Sequence, residues 1–278
     1  TLYRGAEARS VPWQGGPVQA VTAAKDAFYL MTGEGVYALR NGHVRRLVQA
    51  AGLRGMTLEG GKLYLATDAA WWAVNPATGD TAVSLATALP AAGITGLATA
   101  GGRLWAATAA GAFRARGDGR YDYFASRRWL DADSVVSIAT DRSGDIYLLT
   151  ASGLNEISFR PQTLHARADY FEALIRRRHI RYGLLAETRM PVPGDPATAE
   201  MIDTDNDGLW SSFYIGSEAL RYAVTGAADA RRYAWDCFTA YERRVALPCV
   251  KGLPARTFER TGFKVSDPPA WRPSPGSG

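Results

Sequence analysis

A chain of 278 residues with 47% apolar and 21% charged side chains has the make-up of a folded globular protein, able to bury one large core or two medium ones. Its apolar runs are broken by Gly, Asp, Arg or Lys well before the ~20 residues a membrane helix needs, so no helical span is expected. The net charge of +5, densest in RRRHIR at residues 176–181, suits either a polyanion or a solvated basic surface. No zinc-finger, RNA-binding or helix-turn-helix pattern accompanies it, and nucleic acid is not an expected partner.

Repetition organises residues 1–162. Four segments align, at residues 24–39, 60–74, 101–115 and 143–157, and their marker threonines Thr32, Thr67, Thr108 and Thr150 are spaced by 35, 41 and 42 residues. Each unit runs from a Gly or Asp turn into a strand with an aromatic (Tyr29, Tyr64, Trp105, Tyr147), ends it at the threonine, and turns into a second apolar strand. Short alternating strands at this period predict one four-stranded blade per repeat, hence β-propeller repeats with at least four blade-like units. Packing between blades is the expected role of the aromatics and threonines. The stretches IYLLTASGL at 146–154 and FYLMTGEGV at 28–36 resemble the propeller repeats in the ligand-binding sensor regions of bacterial two-component regulators. The second and third copies depart from that motif, with Ala70 before Trp71 and Trp72 in one and little beyond Gly111 in the other.

After Pro161 the period changes. TLHARADYFEALIRRR at 163–178 spaces Leu164, Ala168, Phe171, Leu174 and Ile175 as one helical face, followed by the loop MPVPGDPATAE. Residues 209–224 and 228–245 read as two more helices, with Gly226 as the stop between them. The helical region is expected over 163–265, and the proline-rich stretch 266–278 is expected to be an extended tail. Cys237 and Cys249, twelve residues apart, fit either a disulfide or two free thiols.

The densest chemistry lies in MIDTDNDGLW, where Asp203, Asp205 and Asp207 alternate before Gly208. Three uses fit this segment. The order D-x-D-x-D-G matches the first half of a calcium loop, making these three aspartates candidate Ca2+ ligands, although the closing position holds Tyr214 and the next carboxylate is Glu218. The same acids could act on a glycosidic or uronic-acid unit. They could also serve the helix itself, with Asp203 as N-cap and Asp205 and Asp207 at the positive end of its dipole.

Three blocks, YFEALIRRRHIRYGLLAETR, MIDTDNDGLWSSFYIGSEALRYAVTG and GLPARTFER, resemble the start of an (α/α) toroid domain of the kind found in polysaccharide lyases and glycoside hydrolases. The resemblance implies a carbohydrate-active enzyme, periplasmic or secreted and bacterial, acting on a polysaccharide or oligosaccharide, acidic ones included; no cofactor is required, and Ca2+ is the ion that the aspartate run itself could hold. In a lyase, Arg181 would neutralise the uronate while His179 or Tyr182 removes the α-proton; in a hydrolase, two of the three aspartates with Glu187 would supply acid and base. Arg189, Trp210 and Arg256 are the candidate substrate-binding residues. A complete toroid has about ten to fourteen helices and needs roughly 300 residues, so the resemblance implies a fragment whose partner is the missing remainder of a larger chain, a naturally truncated form, or one piece of a nicked protein. The alternative is a non-catalytic carbohydrate-binding or sensor propeller with a helical partner-contact region.

Overall fold

The computed structural model describes residues 2–4 and 7–259, and the chain divides into two compact units, Thr1–Arg160 and Pro161–Gly278. The expected tail at 266–278 lies outside the described residues.

In the first unit a short hairpin of β1 (Leu2–Arg4) and β2 (Glu7–Arg9) precedes four antiparallel meanders. The first comprises β3 (Val18–Ala23), β4 (Phe28–Thr32), β5 (Gly35–Arg40) and β6 (His43–Gln49). The second comprises β7 (Leu53–Glu59), β8 (Lys62–Thr67), β9 (Trp71–Val74) and β10 (Thr81–Ala86). The third comprises β11 (Ile94–Ala100), β12 (Arg103–Thr108), β13 (Gly111–Ala115) and β14 (Tyr121–Phe124). The fourth has three strands, β15 (Val135–Thr140), β16 (Ile146–Thr150) and β17 (Leu154–Ile157). Strands follow chain order within each sheet, and the first strands pack on one another in sequence, β3 on β7, β7 on β11 and β11 on β15. This is a β-propeller-like row of blades.

One irregularity recurs in all four. The residue opposite each marker threonine (Val18, Leu53, Ile94, Val135) is followed by a register shift before the next pair. A bulge bends its strand and increases the local twist, so each first strand is bent at the same place. The threonines serve their own turns: Thr32 Oγ1 donates to the Gly35 carbonyl (3.2 Å) and Thr108 Oγ1 to that of Gly111 (2.8 Å), while the N–H groups of Glu34 and Ala110 donate back to those hydroxyls. Thr150 repeats the pattern with Gly153. Besides lying buried, these threonines thus close their own hairpins by local side-chain bonds, and Thr150 also donates to Asp131 in the segment between the third and fourth sheets. Gly111, at φ +114°, is needed because a Cβ there would stand 2.6 Å from the Phe124 carbonyl oxygen.

Three apolar clusters fill the three spaces between consecutive sheets. Tyr29, Met31 and Val36 meet Leu53, Met56 and Leu65; Ala66 meets Ile94, Leu97 and Phe113; Trp105, Ala107 and Phe124 meet Val135, Ile146 and Leu148. Each fully buried large side chain contributes about 1.5–3 kcal/mol. Of the repeat aromatics, Tyr29 joins blades as expected, its Oη donating to the Pro76 carbonyl of the second sheet; outside that set, Trp71 Nε1 donates to Tyr121 Oη of the third.

The second unit holds α1 (Leu164–Arg178), the ribbons β18 (Ile180–Arg181) with β19 (Leu184–Leu185) and β20 (Glu187–Arg189) with β21 (Glu200–Ile202), then α2 (Asp207–Thr225) and α3 (Ala228–Ala246). Three α-helices stand among the described residues, far short of a toroid. Thr163 caps α1 by accepting from the Ala166 N–H at 3.1 Å, and Gly226, at φ +68°, ends α2 as the sequence predicts. The N-cap of α2 is Asn206, so the expectation of Asp203 there is corrected; Asp207 occupies the first helical position. The apolar stripe read on α1 is not a core face, since no residue of that helix is buried and Leu164 and Phe171 are exposed. On α2 the usual arrangement is inverted. Its buried side is Asp207, Gly208, Ser211, Tyr214 and Glu218, while Leu209, Phe213, Leu220 and Val224 face outward.

Candidate functional site

Two polar clusters account for that inverted side. The first surrounds Asp207, which is fully buried. Its Oδ1 accepts from the backbone N–H and hydroxyl of Thr204, both at 3.2 Å, and its Oδ2 accepts from Arg181 Nη2 at 2.9 Å and Thr257 Oγ1 at 2.6 Å. Arg181 also donates to Glu259 (2.8 Å) and Thr257 (2.8 Å). Gly208 has no room for a side chain, because a Cβ would lie 1.2 Å from Arg244 Nη1. The Arg244 guanidinium crosses this glycine and donates to the Arg256 carbonyl at 3.0 Å, and the Ala255 N–H returns a bond to the Arg244 carbonyl. Arg256 pairs in turn with Asp205 at 2.6 Å. Segment 253–259 is thus strapped across the start of α2, and the aspartates act as its anchors. Removing one partner of a buried pair such as Arg181–Asp207 costs about 3–5 kcal/mol, because the other charge is left without compensation.

The second cluster lies farther along α2. Tyr214 Oη donates to Glu172 at 2.6 Å; Glu218 accepts from Arg221 at 2.8 and 3.0 Å; Arg221 also reaches Asp229 at 3.0 Å. Burial, reinforced by the charge of Glu172 and opposed by Arg221, raises the Glu218 carboxyl above its ordinary range. Burial and the bond to Glu172 push the Tyr214 phenol well up. The arrangement sets a phenol and a carboxyl, both shifted upward, one helical turn apart. Neither group was a candidate from sequence, yet a signal existed: Tyr214, Glu218 and Arg221 form a polar stripe on an otherwise apolar helix.

The other sequence candidates are scattered around these clusters. His179 closes α1, its Nδ1 within 3.2 Å of the Ala186 carbonyl and 3.1 Å of Thr188 Oγ1. Tyr182 takes φ +52° and stacks on Phe258 at 6.5 Å. Glu187 accepts from Trp210 Nε1 at 3.3 Å, and Arg189 pairs with Glu200 at 2.9 Å on the surface. Asp203 makes no side-chain bond among the described residues. Nor does any group of three or more His, Cys, Asp or Glu among them stand together as a metal site. Cys237 and Cys249 are free, and burial pushes the Cys237 thiol up to about 11, leaving it unreactive at neutral pH. No helix among the described residues is long and apolar enough to cross a membrane.

Neither cluster lines the following two depressions of the helical surface. One, of about 350 Å³, is formed by Tyr222, Gly226, Ala228, Arg231, Arg232 and Trp235. The other, of about 390 Å³, is formed by Arg177, Arg178, Pro196, Ala197, Ala199 and Met201. The first joins exposed aromatic faces to two guanidinium groups, a pairing that can stack on a ring and hold an anion.

No protein family matches this chain, and no curated protein does. Among solved structures it is similar to the extracellular domain of BT4673 from B. thetaiotaomicron, at 18% identity and a TM-score of 0.45 over 52% of this chain and 22% of that one. It is similar also to the WD40 β-propeller domain of Doa1, at 13% identity and a TM-score of 0.42 over 52% and 50% of the two chains. BamB from Moraxella catarrhalis matches at 15% identity and a TM-score of 0.41 over 49% and 41%. The chain spans about a fifth of the length of the first of these structures and about half or less of the other two.

Proposed function

We propose that this chain is a non-catalytic binding module of the sensor-propeller kind, whose helical region contacts a partner and takes acidic carbohydrate. The observation that carries the reading is the state of Asp207. A general acid or base must reach the atom it protonates, and this carboxylate is enclosed, with Thr204, Thr257 and Arg181 occupying both its oxygens. Asp205, nearer the surface, is engaged on one oxygen by Arg256.

Two surfaces support the binding role. Tyr222 and Trp235 offer faces on which a sugar ring stacks, and Arg231 and Arg232 lie where a uronate carboxylate would be held. The outward stripe of Leu209, Phe213, Leu220 and Val224 is contiguous along α2 and carries no charge, as expected of a surface that docks against another protein. A periplasmic or secreted location goes with this reading, through the resemblance of the repeats to bacterial sensor regions.

The test is calorimetry with an oligomer of galacturonic acid, with reducing ends and unsaturated products assayed in the same samples. Binding without products is expected, weakened about tenfold or more by Trp235→Ala. Product formation that Asp205→Asn or Tyr182→Phe abolishes would return the chain to the lyases or hydrolases.

A further inference from the structure

The side-chain bonds that join α1 to the other two helices belong to the polar cluster around Glu218. Tyr214 of α2 donates to Glu172 of α1 at 2.6 Å, and the Arg176 guanidinium of α1 lies 4.0 Å from the ring centre of Tyr233 on α3. Packing of an apolar face ordinarily supplies most of a helix's stability in a folded protein. No residue of α1 is buried, so these polar contacts carry a larger share of its attachment than they would on a helix with a core face.

Glu218 is 2% exposed and lies one turn beyond Tyr214 on the same side of α2. Both reach the same place on α1, since Glu172 takes the Tyr214 phenol and stands within hydrogen-bond reach of Glu218. Two carboxyl groups from different helices therefore meet, one of them enclosed. The cations nearby do not fully compensate them. Arg221 of α2 binds Glu218 at 2.8 and 3.0 Å but also reaches Asp229 of α3, a third carboxyl, at 3.0 Å. Arg176 of α1 stands against Tyr214 and the Tyr233 ring, and Arg232 of α3 is exposed, 5.0 Å from the centre of that same ring. Glu218 is left with one guanidinium divided between two carboxyls.

Two like charges in one enclosed place repel strongly, whereas a single proton between two carboxyls replaces the repulsion with a hydrogen bond. Glu172 already accepts from Tyr214, so the place for that proton is on Glu218, which then donates to Glu172. The upward shift of the Glu218 carboxyl, caused by burial first and by the charge of Glu172 after it, points the same way.

We propose that a proton held between Glu172 and Glu218 latches α1 onto α2, and that its loss frees the helix to swing about its C-terminal end. That end stays fixed, because the Ala186 N–H donates to the His179 carbonyl at 2.7 Å and Thr188 Oγ1 donates to the Arg178 carbonyl at 3.0 Å. The latch opens as pH rises. Ionised Glu172 and Glu218 then repel across the contact between the two helices, while Arg221 stays with Glu218 and Asp229 on the side of α2 and α3.

Hydrogen exchange in the full chain tests this, with each rate referred to the intrinsic amide rate at the same pH. From pH 4.5 to about 8, amides at 171–175 should lose protection about tenfold or more, while those of Cys237 and Ala240, buried on α3, keep theirs. Glu218→Gln keeps a donor for Glu172 without the charge, so its α1 should be equally protected throughout. Glu172→Gln removes the other charge and should give the same level profile, which keeps the test open if the first variant does not fold. A step that survives either substitution overturns the proposal, as does native protection that is level across the series or a loss shared equally by α1 and α3.

Discussion

The blade row and helix α2 bury opposite kinds of side chain. Between the sheets, Phe113, Leu63, Leu65 and Ile146 are enclosed and the chain folds around them. Along α2 the enclosed groups are Asp207, Ser211, Tyr214 and Glu218, while a phenylalanine and two leucines point to water. Burial of apolar area is non-directional and tolerant, whereas a buried ion pair needs every bond in place. The blade row is thus held mainly by area and the buried side of α2 by specific contacts, and substitutions should separate the two.

The largest separation is expected from two phenylalanines. Phe113→Ala, in the core between the second and third sheets, should lose about 3–5 kcal/mol in urea unfolding, while Phe213→Ala, on the outward side of α2, should stay within about 0.5 kcal/mol. Equal losses would mean that α2 has a covered face after all. In the helical unit the corresponding loss belongs to a charge: Arg181→Ala should cost about 3–5 kcal/mol by leaving Asp207 enclosed without its partner. A smaller effect is expected at a turn. Thr108→Val removes the bond to the Gly111 carbonyl and the acceptor for the Ala110 N–H, a loss of roughly 1–3 kcal/mol readable in the same unfolding curves.

Two pH effects complete the series with opposite signs. The Glu218 carboxyl lies above its ordinary value of 4.5, so its protonated form suits the fold and its contribution declines as pH rises from that value through the raised one. Glu218→Gln should flatten that part of a stability profile, and an unchanged slope would remove Glu218 as its source. In the fourth sheet, hydrogen bonds from Thr150 and Asn155 hold Asp131 down to about 2 against an ordinary 3.8. Its contribution is present above 3.8 and is lost as pH falls through about 2, so Asp131→Asn should differ from the native chain mainly in how stability changes across that acid interval.

The blade row was legible in the sequence because its signals are local. An aromatic, a threonine and a glycine within a few residues specify a strand, its end and its turn, and four copies reinforce one another. The helices were legible by period, but the direction they face was not. Leu209, Phe213, Leu220 and Val224 have the spacing of any core stripe, and nothing within α2 reveals that the opposite side is claimed by Arg181, Arg244 and Glu172 from distant segments. The short ribbons β18–β21 were missed for a related reason, since strands of two or three residues carry no measurable alternation. For the site, the aspartate run drew attention correctly to a crowded place. Its pairing with Arg181 and Arg256 depends on contacts 26 and 51 residues away, which no spacing rule encodes.

The bulge that recurs after Val18, Leu53, Ile94 and Val135 gives every junction the same bend. A standard bend makes the blades interchangeable parts, so duplicating one stretch of about forty residues adds a unit that already fits both neighbours. In evolutionary terms the gene can lengthen or shorten by whole blades without redesigning any interface, and circumference becomes a quantity that copying alone can tune.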